Sequence, residues 1–231
     1  DSVTLSSSIT GTNYWWSNSA TTQSITVNTN GNYSVAVTDG NGCTGTSTAT
    51  SVTINPLPIP TVNASGATTF CSGDSVTLSS SFTGTNYLWS NSATTQSITV
   101  NTNGNYLVAV TDANGCTGTS TATGVSVNPL PTSDAGNTVT ILQGNLTVIG
   151  GILTATGNAP VTYTWTPTTG LDSSNVSNPT ASPQDTTTYI VVVTDVNGCT
   201  SIDSILVIVT IPTRIIESAN GIGLLVFPNP T

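Results

Sequence analysis

The stretch Tyr106-Leu107-Val108-Ala109-Val110-Thr111-Asp112-Ala113-Asn114-Gly115-Cys116 decides the fold. Tyr106, Val108 and Val110 recur at every second position, the period of a strand with one buried face. Asp112-Ala113-Asn114-Gly115 then reads as a hairpin turn, because Asn-Gly readily takes positive φ. Beyond it, Thr117 to Asn128 returns as a Thr-rich strand that stops at Pro129. Upstream, Asp74 to Ser80 alternates Val76 and Leu78 with Ser and Thr. Tyr87-Leu88-Trp89 and Ser97-Ile98-Thr99-Val100 are further short strands, and Asn103-Gly104-Asn105 is a turn. Six or seven short strands with turns every ~8–12 residues make the pattern of a β-sandwich.

The same pattern stands 73 residues earlier. Residues 1–50 match residues 74–123 except at Ile9/Phe82, Trp15/Leu88, Ser34/Leu107 and Gly40/Ala113. A third, diverged copy carries Trp165, Tyr189 and Thr194-Asp195-Val196-Asn197-Gly198-Cys199 at matching places. Such self-similarity marks a repeat architecture. The junctions Asn55-Pro56-Leu57-Pro58-Ile59-Pro60 and Asn128-Pro129-Leu130-Pro131 favour extended, stiff connectors. The expectation is an all-β chain of tandem immunoglobulin-like β-sandwich modules in a rod. Its modules are 1–57, 58–131 and 132–212, followed by a linker and tail at 213–231.

Composition narrows function. The chain has one basic residue, Arg214, ten acidic residues, no His and no Met, for a net charge of −9. Nucleic-acid binding needs a basic stripe, and none exists here. An anionic membrane surface would repel the chain. No run approaches the ~18 apolar residues of a membrane helix, so no direct membrane insertion is expected. Any targeting segment is expected outside these residues. A nucleophilic Ser would lack a His or Lys partner, and four widely spaced Cys without His do not make a zinc site. The chain is therefore expected to be no enzyme and to need no cofactor. The carboxylates fall mostly at repeated turns and strand entries, where solvation suffices. The turns at Asp39 and Asn41, Asp112 and Asn114, and Asp195 and Asn197 resemble the start of a calcium loop. They lack its downstream bidentate Glu, and turn chemistry explains them more simply. A calcium site near Asp134 is a second reading of the same kind.

The Thr-Asp-x-Asn-Gly-Cys hairpins resemble those of immunoglobulin-like and polycystic-kidney-disease-like repeats of large bacterial surface proteins. So do Tyr163-Thr164-Trp165-Thr166-Pro167, Asn178-Pro179-Thr180-Ala181-Ser182-Pro183 and Thr186-Thr187-Thr188-Tyr189. Leu225-Val226-Phe227-Pro228-Asn229-Pro230-Thr231 is similar to the opening of the C-terminal sorting domain of the type IX secretion route. The resemblance implies export, cell-surface or secreted localisation, and a spacing, stiffening or adhesive role. It also implies O-glycosylation at Asp-Ser/Thr motifs, here at Ser2, Ser75, Thr186 and Ser204. The plain alternative is that Asp-Ser is an ordinary strand-entry dipeptide.

An exported setting permits disulfides. The repeat pattern suggests Cys71 with Cys116, worth ~3–4 kcal/mol in the chain-entropy account. Cys199 is expected unpaired, because Leu142 takes the place matching Cys71. The partner of Cys43 should sit three residues before Asp1. Module 1 also lacks a counterpart of Pro60 to Gly73. That strand lies upstream in a longer array or comes from another molecule, and Ile222, Leu224, Leu225, Val226 and Phe227 form a candidate donor strand. Trp89 should face inward and Leu88 outward, close to Leu107 on the neighbouring strand. Trp15 with Ser34 would replace that pair in module 1, as a compensated module or subunit contact or as drift on an exposed face. A sugar-stacking role for Trp15 and Trp16 is set against Trp16 in the core with Trp15 outside. The expected function is a structural rod, stalk or filament subunit whose partners are copies of itself or neighbouring modules. The alternatives are an adhesin for glycans or surface proteins, and the stalk of a larger secreted enzyme.

Overall fold

A computed structural model describes residues 2–152 and 154–211, and the backbone of 214–216 and 225–227. The first repeat contains β1 (Val3–Ser6), β2 (Asn13–Trp16), β3 (Ser24–Val27), β4 (Gly31–Tyr33), β5 (Val35–Thr38), β6 (Thr44–Thr46) and β7 (Thr50–Val52). The second contains β8 (Val62–Ala64), β9 (Thr69–Cys71), β10 (Val76–Ser80), β11 (Asn86–Trp89), β12 (Ser97–Val100), β13 (Gly104–Tyr106), β14 (Val108–Thr111), β15 (Thr117–Thr119) and β16 (Thr123–Asn128). The third contains β17 (Thr132–Ser133), β18 (Val139–Leu142), β19 (Thr147–Val148), β20 (Ala155–Thr156), β21 (Thr162–Thr166), β22 (Thr180–Ala181), β23 (Thr187–Thr194) and β24 (Thr200–Thr210). β25 (Arg214–Ile216) and β26 (Leu225–Phe227) follow. Among the described residues the chain is all-β, a series of immunoglobulin-like repeats, as the alternation predicts.

Two expected strands each prove to be two. The run from Tyr106 to Thr111 breaks at Leu107, and Thr117 to Asn128 breaks at Ser120–Ala122. Before the first break, β13 pairs with β16; after it, β14 pairs with β11 and β15. The chain thus switches sheets at matched places, as sandwich strands do at corners. A hydroxyl holds the switch: Ser120 Oγ accepts from the Val108 N–H at 3.0 Å, while the Ser120 N–H donates to the Val108 carbonyl. Ser47 does the same for Val35 in the first repeat. Asn103-Gly104-Asn105, expected as a turn, contributes Gly104 and Asn105 to β13 for the same reason. In the third repeat β23 and β24 run unbroken, because Ile190 to Val193 and Ile205 to Val209 are almost continuously apolar and β-branched.

The chain divides into two compact units, Asp1–Thr61 with Ser80–Gln96 and Leu107–Thr121, and Val62–Ser79 with Ser97–Tyr106 and Ala122–Thr231. In the first unit, Trp16, Ile25, Val27, Tyr33, Val35, Val37 and Val52 form the core of the first repeat. They come from the inward faces of sheets β1-β3, β4-β7 and β2-β5-β6. In the second unit, the sheet β18-β24-β23-β21 supplies Ile141, Trp165, Tyr189, Val191, Val193, Ile205 and Val207 to the third repeat's core. Ala135, Ile149 and Ala181 complete it. Each core Trp keeps its indole N–H satisfied: Trp16 by the Thr22 carbonyl, Trp89 by Thr95 and Trp165 by Val176. The Tyr106 hydroxyl donates to the Thr102 carbonyl at 3.1 Å, the tyrosine-corner bond of immunoglobulin-like sandwiches.

Trp165 is fully buried, so Trp165→Ala is expected to lower stability by about 3–5 kcal/mol in urea unfolding. Burial holds the Tyr189 phenol above the ordinary tyrosine value of 10.0. Its folded-state value exceeds the unfolded one, so its contribution is complete below the unfolded value and is lost as pH climbs through the folded value. Tyr189→Phe should therefore flatten the fall of stability above about pH 10, measured by unfolding at a series of alkaline pH values.

Candidate functional site

The first two repeats share sequence and register. β1 pairs β3 with Val3 opposite Val27 and Leu5 opposite Ile25, as β10 pairs β12 with Val76 opposite Val100 and Leu78 opposite Ile98. Their burial nevertheless differs. Val76 is 3% exposed, but Val3 is 40% exposed. The cause lies in the sheets. β10 has β12 on one side and β8 on the other, whereas β3 is the only strand beside β1 among the described residues. β16 likewise carries β9 in parallel, with Cys71 opposite Asn128. Its counterpart β7 has β4 alone among the described strands. The Ser126 N–H donates to the Thr68 carbonyl, and the Asn128 carbonyl accepts from the Ser72 N–H, both at 2.8 Å. The equivalent Thr53 and Asn55 have no strand of this kind beside them among the described residues.

Between these edges runs a groove of about 350 Å³, floored by Leu5, Trp16, Tyr33, Val35 and Val37 and rimmed by Gly45 to Thr48. Gly45 has nothing within 4 Å of an added Cβ. Its counterpart Gly118 could not carry one, because the added carbon would collide with the Pro58 carbonyl oxygen. A glycine inside a strand marks close approach of another backbone, and Gly118 shows which backbone. A second cavity, about 540 Å³, is lined by Val3, Thr53, Ile54, Asn55, Leu57 and the hairpin residues Asn114 to Thr117.

The cysteines correct the sequence reading. Cys71 bonds to Cys199, not Cys116, with an S–S distance of 2.03 Å. Cys116 directly precedes β15, whereas Cys71 lies beside the last residue of β16, at the far end of the return path. The bond thus links the second repeat to the hairpin of the third. Cys199, expected unpaired, is 1% exposed and bonded. Leu142 does hold the place matching Cys71, since it ends a strand parallel to β24 as Cys71 ends one parallel to β16. The error lay in seeking a partner within each repeat. Cys43 is free and exposed, and Cys116 is free and half-buried.

The three hairpins share one geometry. Asp39, Asp112 and Asp195 each place Oδ1 to accept from N–H groups two and four residues on, at 2.8–2.9 Å. Gly115 and Gly198 take φ of +80° and +79°. These carboxylates are therefore occupied in turn chemistry. Near Asp134, Oδ1 accepts from the Gly136 N–H, and Asp203 Oδ2 accepts from the Ala135 N–H. Asp172 is held below the ordinary carboxylate value, chiefly by the N–H of Thr180.

Trp16 and Trp89 are buried, while Trp15 is 61% and Leu88 55% exposed. Leu88 stands opposite Ala109, and Leu107 opposite Ser90, so Leu88 and Leu107 are diagonal rather than direct neighbours. Trp15 faces Ala36 in the same way. Ser2, Ser75, Thr186 and Ser204 are all exposed, and Thr186 Oγ1 accepts from the Val209 N–H. Of the candidate donor strand, Ile222 and Leu224 lie outside the described residues. Leu225, Val226 and Phe227 form β26 and pair with β25, with Phe227 opposite Arg214.

No protein-family model and no curated protein matches the sequence. Among solved structures, the chain is similar to Sidekick-1 immunoglobulin domains 1–4 at 14% identity and a TM-score of 0.29, covering 94% of this chain and 72% of that one. It is similar to extracellular domains 3–5 of Drosophila OTK at 12% identity and a TM-score of 0.34, covering 91% and 92%. A structure from a 1.5-MDa bacterial ice-binding adhesin shares 17% identity at a TM-score of 0.34, covering 90% and 91%. At these scores the likenesses carry no inference about what this chain does.

Thiol counting checks the cysteine assignment. The polypeptide of residues 1–231 is expected to offer two reactive thiols, Cys43 and Cys116, and four after reduction and unfolding. Cys71→Ser should lower stability by roughly 2–5 kcal/mol in denaturant unfolding, because the lost bond closes a long loop.

Proposed function

We propose that this chain is a section of an extracellular, non-enzymatic structural array, built from immunoglobulin-like repeats that space or stiffen a surface appendage. The carrying observation is the repetition of a whole structural unit. The substitutions Trp15/Leu88, Ser34/Leu107 and Gly40/Ala113 leave the buried residues of β2, β3, β5 and their counterparts unchanged. The repeated outer faces carry cross-strand hydroxyl pairs in place of charges. Thr4 meets Thr26, Ser6 meets Ser24 and Thr38 meets Thr44 in the first repeat. Thr77 meets Thr99 and Thr111 meets Thr117 in the second. Such pairs satisfy strand side chains across the ladder. A fifty-residue unit copied with its outer face suits reiteration of a scaffold better than a specialised binding cleft. The resemblance of residues 225–231 to a type IX sorting domain supports export, and the exposed Ser2, Ser75, Thr186 and Ser204 are the proposed O-glycosylation sites. A second, adhesive reading rests on Trp15, an exposed indole where the second repeat has Leu88.

Surface protease treatment of intact cells of the source organism tests the proposal. Proteinase K should remove the protein from intact cells. Trypsin should leave residues 1–214 whole, because it cuts after Arg214, the sole basic residue. Protection from proteinase K until the cells are lysed would sink the proposal. Retained binding to a host or neighbour surface that Trp15→Ser abolishes would favour the adhesive reading.

A further inference from the structure

We propose that Asn197 is a latent modification site. The Cys71–Cys199 disulfide keeps the Asn197-Gly198 pair from deamidating, and its reduction opens that pair to a one-way conversion of Asn197 to aspartate or isoaspartate. The site stands whether or not the chain serves as an array.

Asn followed by Gly is a chemically labile pair, because no side chain on the second residue screens its backbone nitrogen from the Asn carboxamide. In this hairpin both reacting groups are engaged. The Gly198 N–H donates to the Asp195 carbonyl at 3.0 Å. Asp195 Oδ1 accepts from the N–H groups of Asn197 and Cys199, both at 2.9 Å. The Asn197 amide nitrogen stands 3.5 Å from Asp195 Oδ2. The hairpin must therefore open before the Gly198 nitrogen meets the Asn197 carboxamide.

What holds it shut comes from outside the turn. Asp195 is 6% and Cys199 1% exposed. The Val196 N–H donates to the Asn158 carbonyl at 3.3 Å, and a Cβ added at Gly157 would lie 3.7 Å from Asp195 Cβ. The covalent restraint is the disulfide, placed on the residue directly after Gly198. Through Cys71 it fastens the hairpin to β9, which pairs with β16. A dithiol reductant gives the two sulfurs two electrons and two protons and becomes its own disulfide. The hairpin then keeps only its short hydrogen bonds and buried contacts, and local opening costs less.

In the opened hairpin the Gly198 nitrogen gives its proton to solvent and bonds to Cγ of Asn197. The bond from Cγ to the side-chain nitrogen breaks, and ammonia leaves. Water then opens the five-membered imide at either carbonyl, giving aspartate or isoaspartate. The sum is one water consumed and one ammonia released. Aspartate sets a second carboxylate against Asp195 where an amide donated toward it, and isoaspartate lengthens the main chain within the turn. Both oppose reclosure and renewed pairing of Cys199 with Cys71, so a reversible reduction becomes permanent.

The test incubates the polypeptide of residues 1–231 at mildly alkaline pH with and without dithiothreitol. Chymotryptic peptides carrying residue 197 are resolved into asparagine, aspartate and isoaspartate forms. We expect conversion about tenfold faster in the reduced chain, and the same acceleration in Cys71→Ser without reductant. Amide protection at Val191, Val193 and Val207 should persist in both, which separates opening of the hairpin from unfolding of the repeat. Asn197→Asp, reduced and returned to oxidising buffer, should re-form the disulfide more slowly than the unsubstituted chain. Equal conversion rates in oxidised and reduced chains would overturn the proposal. Loss of protection at Val191 and Val207 as fast as Asn197 converts would overturn it as well. Re-oxidation of Asn197→Asp at the unsubstituted rate would overturn the one-way step.

Discussion

A strand at the edge of a sheet presents a row of backbone N–H and C=O groups and leaves its inward side chains half covered. The organisation of this chain follows from how each repeat meets that demand. In the second repeat, β8 and β9 lie on the outer edges of β10 and β16 and are drawn from the segment that leads in from the junction. The segment after each proline-rich junction is thus part of the sandwich it introduces. The first repeat, nearly identical in sequence, presents the same two edges with no strand laid on them among the described residues. The contrast between Val3 and Val76 measures what that segment covers.

The same geometry explains the cysteines. A strand that ends beside Asn128 delivers Cys71 to the end of its own repeat, away from its own hairpin and within reach of the next one. A bond between repeats restrains their relative movement as well as their unfolding. It closes a loop of 128 residues, and the denatured state loses more entropy the longer the loop. Such a bond suits a chain whose surface carries almost no opposite charges to pair. Its stability rests on small apolar cores, buried Trp residues and hydroxyl ladders.

Much of this was legible in the residues. Alternation at Tyr106, Val108 and Val110 depends on the two-residue period of a strand, which holds wherever the strand lies. The inward Trp89 and outward Leu88 follow from the same period. The hairpins were legible because Asp-x-Asn-Gly closes its turn through its own carboxylate and a glycine at positive φ, both local effects. The break at Leu107 was not legible, because the Ser120 hydroxyl that holds it comes from another strand. Nor was the pairing of Leu88 with Ala109 rather than Leu107, which depends on register between strands.

The sequence by itself determined the repeat, the strand-forming segments, the turns and the absence of a basic surface or a histidine. These are properties of composition and of neighbours along the chain. Tertiary structure alone decided that Cys71 meets Cys199, that Gly118 lies under Pro58, and that Asn55 and Cys116 line one cavity. Each depends on residues far apart in sequence, brought together by parallel pairing of an early strand with a late one. Sequence similarity reveals that two positions are equivalent. It does not reveal which equivalent positions touch, because contact is set by the path of the chain between sheets.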